Sequence, residues 1–269
     1  HNIRKYYETV EMIANASSLH SLKYAETDSH VAMEYNMRSI DDVMAELIDD
    51  PLLADVLVGN LPLYAAEKGK TPFSTHAFIM DFYNQSSFRI AGGSDTVAIS
   101  MQHTIEKYGG KVMTRSKATK IICDDTHATG VEINGEDVIP ADIVISDTHP
   151  MRTLEMLDTK LIRPAFRKRI NAIPQTVGSF SVYIKFKKDR VPYMNYNYYG
   201  YNQSSPWNCE HYTDETWPKG FLYMHFCQEE HPQFADTGVV LSYMQMEDVE
   251  KWKGTHIGRR GDDYEEFKH

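Results

Sequence analysis

The feature that most constrains this chain is a glycine pair set between a short apolar run and a helix. Phe88-Arg89-Ile90 leads into Ala91-Gly92-Gly93-Ser94-Asp95. Val97, Met101, Ile105 and Tyr108 then recur at helical spacing, and a second pair, Gly109-Gly110, ends the helix. Glycine tolerates the backbone angles and close approach such a turn needs, and a helix starting at Ser94 turns its free N–H groups and positive dipole end toward whatever lies over it. The same turn also serves as a plain structural connection, so its surroundings must decide. Residues 117–124, 127–133 and 137–139 read as three short strands, with Asn134-Gly135 as a hairpin signal. Ala141-Asp142-Ile143-Val144-Ile145-Ser146 reads as a strand buried on both faces, and Asp147-Thr148-His149-Pro150 opens another helix.

The segments on either side have different periods. Ile3, Tyr6, Tyr7, Val10 and Ile13 repeat with helical spacing, and Ser39 stands as an N-cap before Ile40, Val43, Met44, Leu47 and Ile48, with Asp41 and Asp42 in the first turn. Leu52, Leu53, Val56 and Leu57 carry the pattern to a stop at Gly59. Beyond Pro174 the pattern becomes β: residues 177–186, 221–227 and 239–244 are strand candidates, and residues 193–201 are a polar aromatic tract. The charged stretch from Met246 onward reads as helical. The longest apolar run, residues 51–66, contains Asp55, Asn60, Gly59 and Pro62, which bars it from spanning a bilayer as a helix of ~20 residues.

Composition narrows the function classes. With 38 acidic against 28 basic residues in 269, the net charge is −10. Binding nucleic acid through its phosphates calls for clustered Lys and Arg, so no nucleic-acid partner is expected. Cys123, Cys209 and Cys227 are too few and too far apart for a disulfide framework or paired CxxC metal sites. They suit a reducing cytoplasm, and His1 reads as a tag remnant.

Other chemical motifs are sparse. There is no GxGxxG, no phosphate-binding glycine loop of the Walker type and no GxSxG. His225, Cys227 and His231, and the pair Cys209 and His211, read as strand residues rather than ligands, so no metal is expected. Asp124-Asp125 and Glu229-Glu230 read as solvated turns. Arg260-Gly261-Asp262 and the sequons at Asn15, Asn84 and Asn202 are short enough to arise by chance. The density of Tyr193, Tyr196, Tyr198, Tyr199 and Tyr201, followed by Trp207, Tyr212 and Trp217, fits two readings. One is a groove for a long hydrocarbon, a sugar or a partner protein; the other is a sheet packed with tyrosine.

Taken in order, the pieces from Phe88 to Leu157 resemble the phytoene desaturase, carotenoid isomerase and retinol saturase group of FAD-dependent oxidoreductases. That group shows an apolar strand, a Gly-Gly turn, a helix, a second Gly-Gly, a strand, a three-stranded meander and an A-D-x-V-I-S strand. Residues 247–268 are similar to the segment before the group's last third, most of all in its retinol saturase branch. The resemblance implies an α+β fold: a partial Rossmann-like FAD-binding domain (residues 88–160) with a substrate domain made of helices (1–87) and antiparallel sheet (161–246), then a charged helical tail (247–269). It places the flavin-facing turn on Gly92, Gly93 and Ser94. The strand residue whose backbone meets the adenine end falls on Ala118, where the group usually has valine.

The resemblance further implies a fragment. The group's N-terminal GxGxxG strand, which holds the pyrophosphate, and its C-terminal glycine-rich segment have no counterpart here. The 141–146 strand is therefore expected to lack neighbours and to leave an open edge, and FAD is expected to bind this piece weakly or not at all. The intact protein would saturate or desaturate carbon–carbon double bonds of a long polyene or isoprenoid. The alternatives are a redox-neutral carotenoid isomerase and a non-enzymatic module for a hydrophobic ligand or partner. Such a substrate is compatible with peripheral membrane contact. Tyr183, Tyr198 and His225 are candidate tunnel positions, and no catalytic residue is assigned.

Overall fold

The structure is a computed structural model that describes residues 2–16, 29–228 and 231–269. His1 and the Glu229-Glu230 pair lie outside the described residues. The chain divides into two units, one of His1–Gly93 with Thr176–His269 and one of Ser94–Gln175.

The first unit begins with helices α1 (Asn2–Asn15), α2 (Ser29–Asn36), α3 (Ile40–Leu47), α4 (Pro51–Leu57) and α5 (Phe73–Gln85), with a 3-10 turn at Leu61–Tyr64 before α5. Tyr6, Val10 and Ile13 share one face of α1 and are buried, as the spacing predicts. Ser39 caps α3 as expected: its hydroxyl accepts from the Asp42 amide at 3.3 Å and donates to the Asp42 carboxylate at 2.7 Å. Asp50 caps α4 by accepting from the Leu52 amide at 2.9 Å. These helices close on a core that includes Ile40, Val43, Leu61 and Phe73.

Against them stands an antiparallel sheet of β4 (Gly178–Lys185), β5 (Tyr198–Tyr201), β6 (Gly220–Phe226) and β7 (Thr237–Met244), numbered after three strands of the second unit and ordered β4-β7-β6-β5. The register Tyr199↔Leu222, Leu222↔Leu241 and Ser181↔Leu241 puts these residues on one face, with Tyr201, Met224 and Tyr243 two places along their strands. Tyr198, Phe221, Tyr223 and His225 occupy the other face. Only the last four residues of the 193–201 tract form strand, because only they have a ladder partner, in β6. The tail is helical in two pieces, a 3-10 segment Met246–Trp252 and α9 (Asp262–Lys268). Trp252 is buried, its ring centroid 5.0 Å from those of Tyr264 and Phe267.

The second unit holds α6 (Asp95–Lys107), the meander β1 (Ala118–Cys123), β2 (Ala128–Ile133) and β3 (Asp137–Pro140), then α7 (Pro150–Met156) and α8 (Pro164–Asn171). The meander is antiparallel in the order β1-β2-β3. Asn134 and Gly135 both adopt positive φ, 57° and 81°, and the Glu136 amide closes the turn on the Ile133 carbonyl at 3.1 Å.

Residues 141–146 correct the expectation of a buried strand. They carry no strand structure, and Ile143 and Ile145 are 79% and 91% exposed. A strand buried on both faces needs ladder partners, and among the described residues none is offered; the one parallel bridge in this unit joins Ile121 to Leu157. Residues 88–90 and the stretch after Gly110 likewise form no strand. The α6 helix is present, but its apolar stripe of Val97, Met101, Ile105 and Tyr108 is exposed along its length. Among the described residues the architecture is thus mixed helix and antiparallel sheet.

Candidate functional site

Two neighbouring cavities open in the first unit where the helices meet β5 and β6. One, of about 490 Å³, is walled by Leu52, Val56, Met80 and Pro206 together with Tyr199 and Tyr201. The other, of about 810 Å³, is walled by Phe82, Phe88, Tyr193 and Tyr196, several amide and hydroxyl side chains, and Arg89. Asn60 and Tyr199 line both and mark the junction. Both volumes fall in the range of small-molecule sites.

The period-2 pleat explains which tyrosines serve the cavities. Tyr199 and Tyr201 project toward the helices, and the Tyr201 hydroxyl donates to the Gly59 carbonyl, tying β5 to the turn after α4. Tyr198 projects the other way and stacks on Phe221, with ring centroids 6.2 Å apart. Tyr183 is on the cavity side of the sheet but on β4, its far edge, and is 83% exposed. Neither cavity is lined by Tyr183, Tyr198 or His225. His225 is buried beside Tyr193 and Tyr223. Its Nε2 accepts from the Met194 amide at 2.9 Å, so the imidazole is held neutral there, and its Nδ1 has no partner among the described residues. Burial, followed by the Arg89 charge, lowers its pKa.

The helical core holds a hydrogen-bonded chain with no local sequence signal. His76 of α5 is fully buried, with Nε2 at 2.8 Å from the Tyr6 hydroxyl and Nδ1 at 2.7 Å from the Tyr64 hydroxyl. Burial lowers the His76 pKa to about 4, so the ring is neutral and one tyrosine donates while the other accepts. Burial raises the pKa of Tyr64, and the nearby Tyr6, Tyr243, Tyr201 and Tyr199 push it the same way. A neutral imidazole between two phenols can pass a proton by exchanging tautomers. Among the described residues the Asn60 Oδ1 and the Tyr243 hydroxyl are buried without partners, while Asn60 Nδ2 faces the Met80 sulfur at 3.2 Å. Sequence reading saw Asn60 only as a break in an apolar run.

Gly92 and Gly93 close the first unit with φ of 77° and 97°, and the Gly93 amide turns back to the Ile90 carbonyl at 3.2 Å. Ser94 precedes α6 without capping it through its side chain. Ala118 opens β1 opposite Ile133. Both glycines thus hold the left-handed backbone region that side chains rarely adopt.

Among the described residues no three His, Cys, Asp or Glu side chains converge on a metal site. Cys209 is buried, with its thiol donating to the Pro206 carbonyl at 3.3 Å and its pKa pushed up to about 11 by burial, while the His211 side chain is exposed beside Glu210. Asp124 is a turn residue: hydrogen bonds from Thr126 and His127 hold its carboxyl at about 2. No described helix is long and apolar enough to cross a membrane.

Fold and site together define an α+β chain whose helices and tyrosine-bearing sheet enclose cavities of ligand size. No family model matches it. It is similar to the all-trans-retinol 13,14-reductases of Rattus norvegicus (27% identical over 253 residues, 86% of this chain), Danio rerio (27% over 265, 87%) and Homo sapiens (25% over 257, 88%). The chain spans about two fifths of these relatives' length, 41% of the rat protein and 42% of the other two.

Proposed function

We propose that this chain is part of an FAD-dependent oxidoreductase that reduces a carbon–carbon double bond in a retinoid or similar polyene. The observation that carries the reading is a likeness extending over more than four fifths of the chain to relatives named as reductases of a polyene alcohol. The aromatic cavities supply a matching receptor: flat apolar walls at Tyr199, Tyr201 and Met80 suit a rigid conjugated chain and exclude water from it.

In this proposal Gly92, Gly93 and Ser94 hold the flavin by close backbone approach, and the backbone of Ala118 meets its adenine end within a Rossmann-like arrangement. Bound FAD would supply hydride exchange at carbon. The chain's own part is to orient the polyene along the Asn60 and Tyr199 junction and to keep a proton store in Tyr6, His76 and Tyr64. A hydrophobic substrate of this kind also favours peripheral contact with a membrane.

The test is product analysis of the intact protein supplied with all-trans-retinol and a reductant. A product heavier by two hydrogens, with a flavin spectrum from the purified protein, supports the proposal. A product of unchanged mass replaces it with isomerisation, and ligand binding without flavin or product replaces it with a binding module. For the chain alone, flavin bound at full occupancy would sink the proposal that this piece holds FAD weakly or not at all.

A further inference from the structure

Asn60 stands where the two cavities meet, in the walls of both. It holds the N-cap position of the 3-10 turn Leu61–Tyr64, where an asparagine oxygen ordinarily accepts from an amide two or three residues on. Its side chain makes no such bond. Pro62 has no N–H to give, and the Leu63 amide goes to the Asn60 backbone carbonyl at 2.9 Å. The side-chain nitrogen faces the Met80 sulfur at 3.2 Å, and a thioether accepts, so the oxygen is the end left over. Among the described residues that Oδ1 is buried without a partner.

A buried acceptor left unpaired costs free energy that a donor arriving at this point would recover. Other polar groups of the smaller cavity are already engaged. The Tyr201 hydroxyl donates to the Gly59 carbonyl, the Ser205 hydroxyl donates to Asp55 at 3.1 Å, and the Gln203 amide nitrogen donates to the Ser205 and Trp207 carbonyls at 2.8 and 2.7 Å. Leu52, Val56, Met80 and Tyr199 supply apolar wall around them. The terminal torsion of asparagine is soft, so Oδ1 can meet a donor at the junction for the loss of one weak contact to sulfur. An unpaired acceptor in an apolar wall is the complement of a hydrocarbon that carries a hydroxyl.

We propose that Asn60 is a specificity-determining residue whose side-chain oxygen accepts a hydrogen bond from the hydroxyl of a polyene alcohol, with the hydrocarbon lying in the smaller cavity. This rests on the polyene reading above and adds to it the contact that selects the alcohol.

The experiment titrates the chain with all-trans-retinol and with its methyl ether, which keeps the polyene and the oxygen but has no O–H, following quenching of tryptophan fluorescence. The alcohol is expected to bind about three- to tenfold tighter. Asn60→Leu should erase that preference while changing binding of the ether by less than about twofold. A far-UV spectrum matching the parent's shows that the variant is folded. If Asn60→Leu does not fold, Asn60→Ala, which removes the same oxygen without adding bulk, takes its place. Ether bound by the parent as tightly as alcohol, or a preference that survives in a folded variant, overturns the role of Asn60 and leaves the polyene reading standing. Failure of the parent chain to bind either ligand overturns both.

Discussion

The Tyr6 hydroxyl lies 2.8 Å from Nε2 of His76, inside a core where neither residue is reached by water. This bond, with its twin from Tyr64, places a titratable ring where protonation has no solvent to support it. The folded-state pKa is about 4 against an ordinary 6.5, so the unfolded chain binds the proton more readily. Stability from this group is complete above pH 6.5 and falls as the pH drops toward 4, by up to about 3 kcal/mol. Urea midpoints measured across that window should fall for the parent chain. They should fall less for His76→Gln, whose amide offers both a donor and an acceptor but does not titrate.

Tyr199 and Tyr198 are neighbours in sequence on opposite faces of β5. Tyr199→Ala should weaken binding of a polyene about tenfold by removing apolar wall from both cavities. Tyr198→Ala should leave binding within about twofold and lower thermal stability through loss of its stacking on Phe221. A fluorescence titration and a melting curve on each variant separate the two effects.

Removing the Tyr201 hydroxyl takes away the donor to the Gly59 carbonyl. Tyr201→Phe is therefore expected to cost about 1–2 kcal/mol in chemical denaturation.

Gly93 and Gly135 both hold positive φ, 97° and 81°, in turns that differ in proposed role. Alanine at either position should cost about 1 kcal/mol of stability through the same backbone strain. In the intact protein Gly93→Ala should also lower flavin occupancy, read from absorbance after purification, whereas Gly135→Ala should not. Equal occupancy in both variants would separate the Gly92-Gly93 turn from the cofactor.

Features built from near neighbours were legible in the sequence. The Ser39 cap, the apolar stripe Tyr6, Val10 and Ile13, and the Asn134-Gly135 hairpin each follow from residues within a turn or two of one another. The long strands β4, β6 and β7 were legible from their runs of strand-forming residues. Features that depend on a distant partner were misread or missed. Ile143, Val144 and Ile145 have the composition of a buried strand, but composition does not supply a ladder, and the segment lies open. The tyrosine tract announced an aromatic wall, but the pairing of β5 with β6 decides that Tyr199 serves it and Tyr198 does not. The Tyr6, His76 and Tyr64 chain joins three separate elements, and no spacing within any of them marks it. Arg89 read as one member of a short apolar run. Its bonds to the His225 carbonyl and to Asn197 come from β6 and a loop more than a hundred residues further along the chain.

In the four-stranded sheet the last strand to be made, β7, lies between β4 and β6. Its edges take the backbone bonds of Gly178–Lys185 on one side and of Phe221 to Phe226 on the other. A growing chain can therefore pair β5 with β6 early but cannot join that hairpin to β4 until residues 237–244 have left the ribosome. The tyrosine wall is provisional until then, and a message cut short before Thr237 would yield helices and a hairpin with no sheet to hold the ligand face in place.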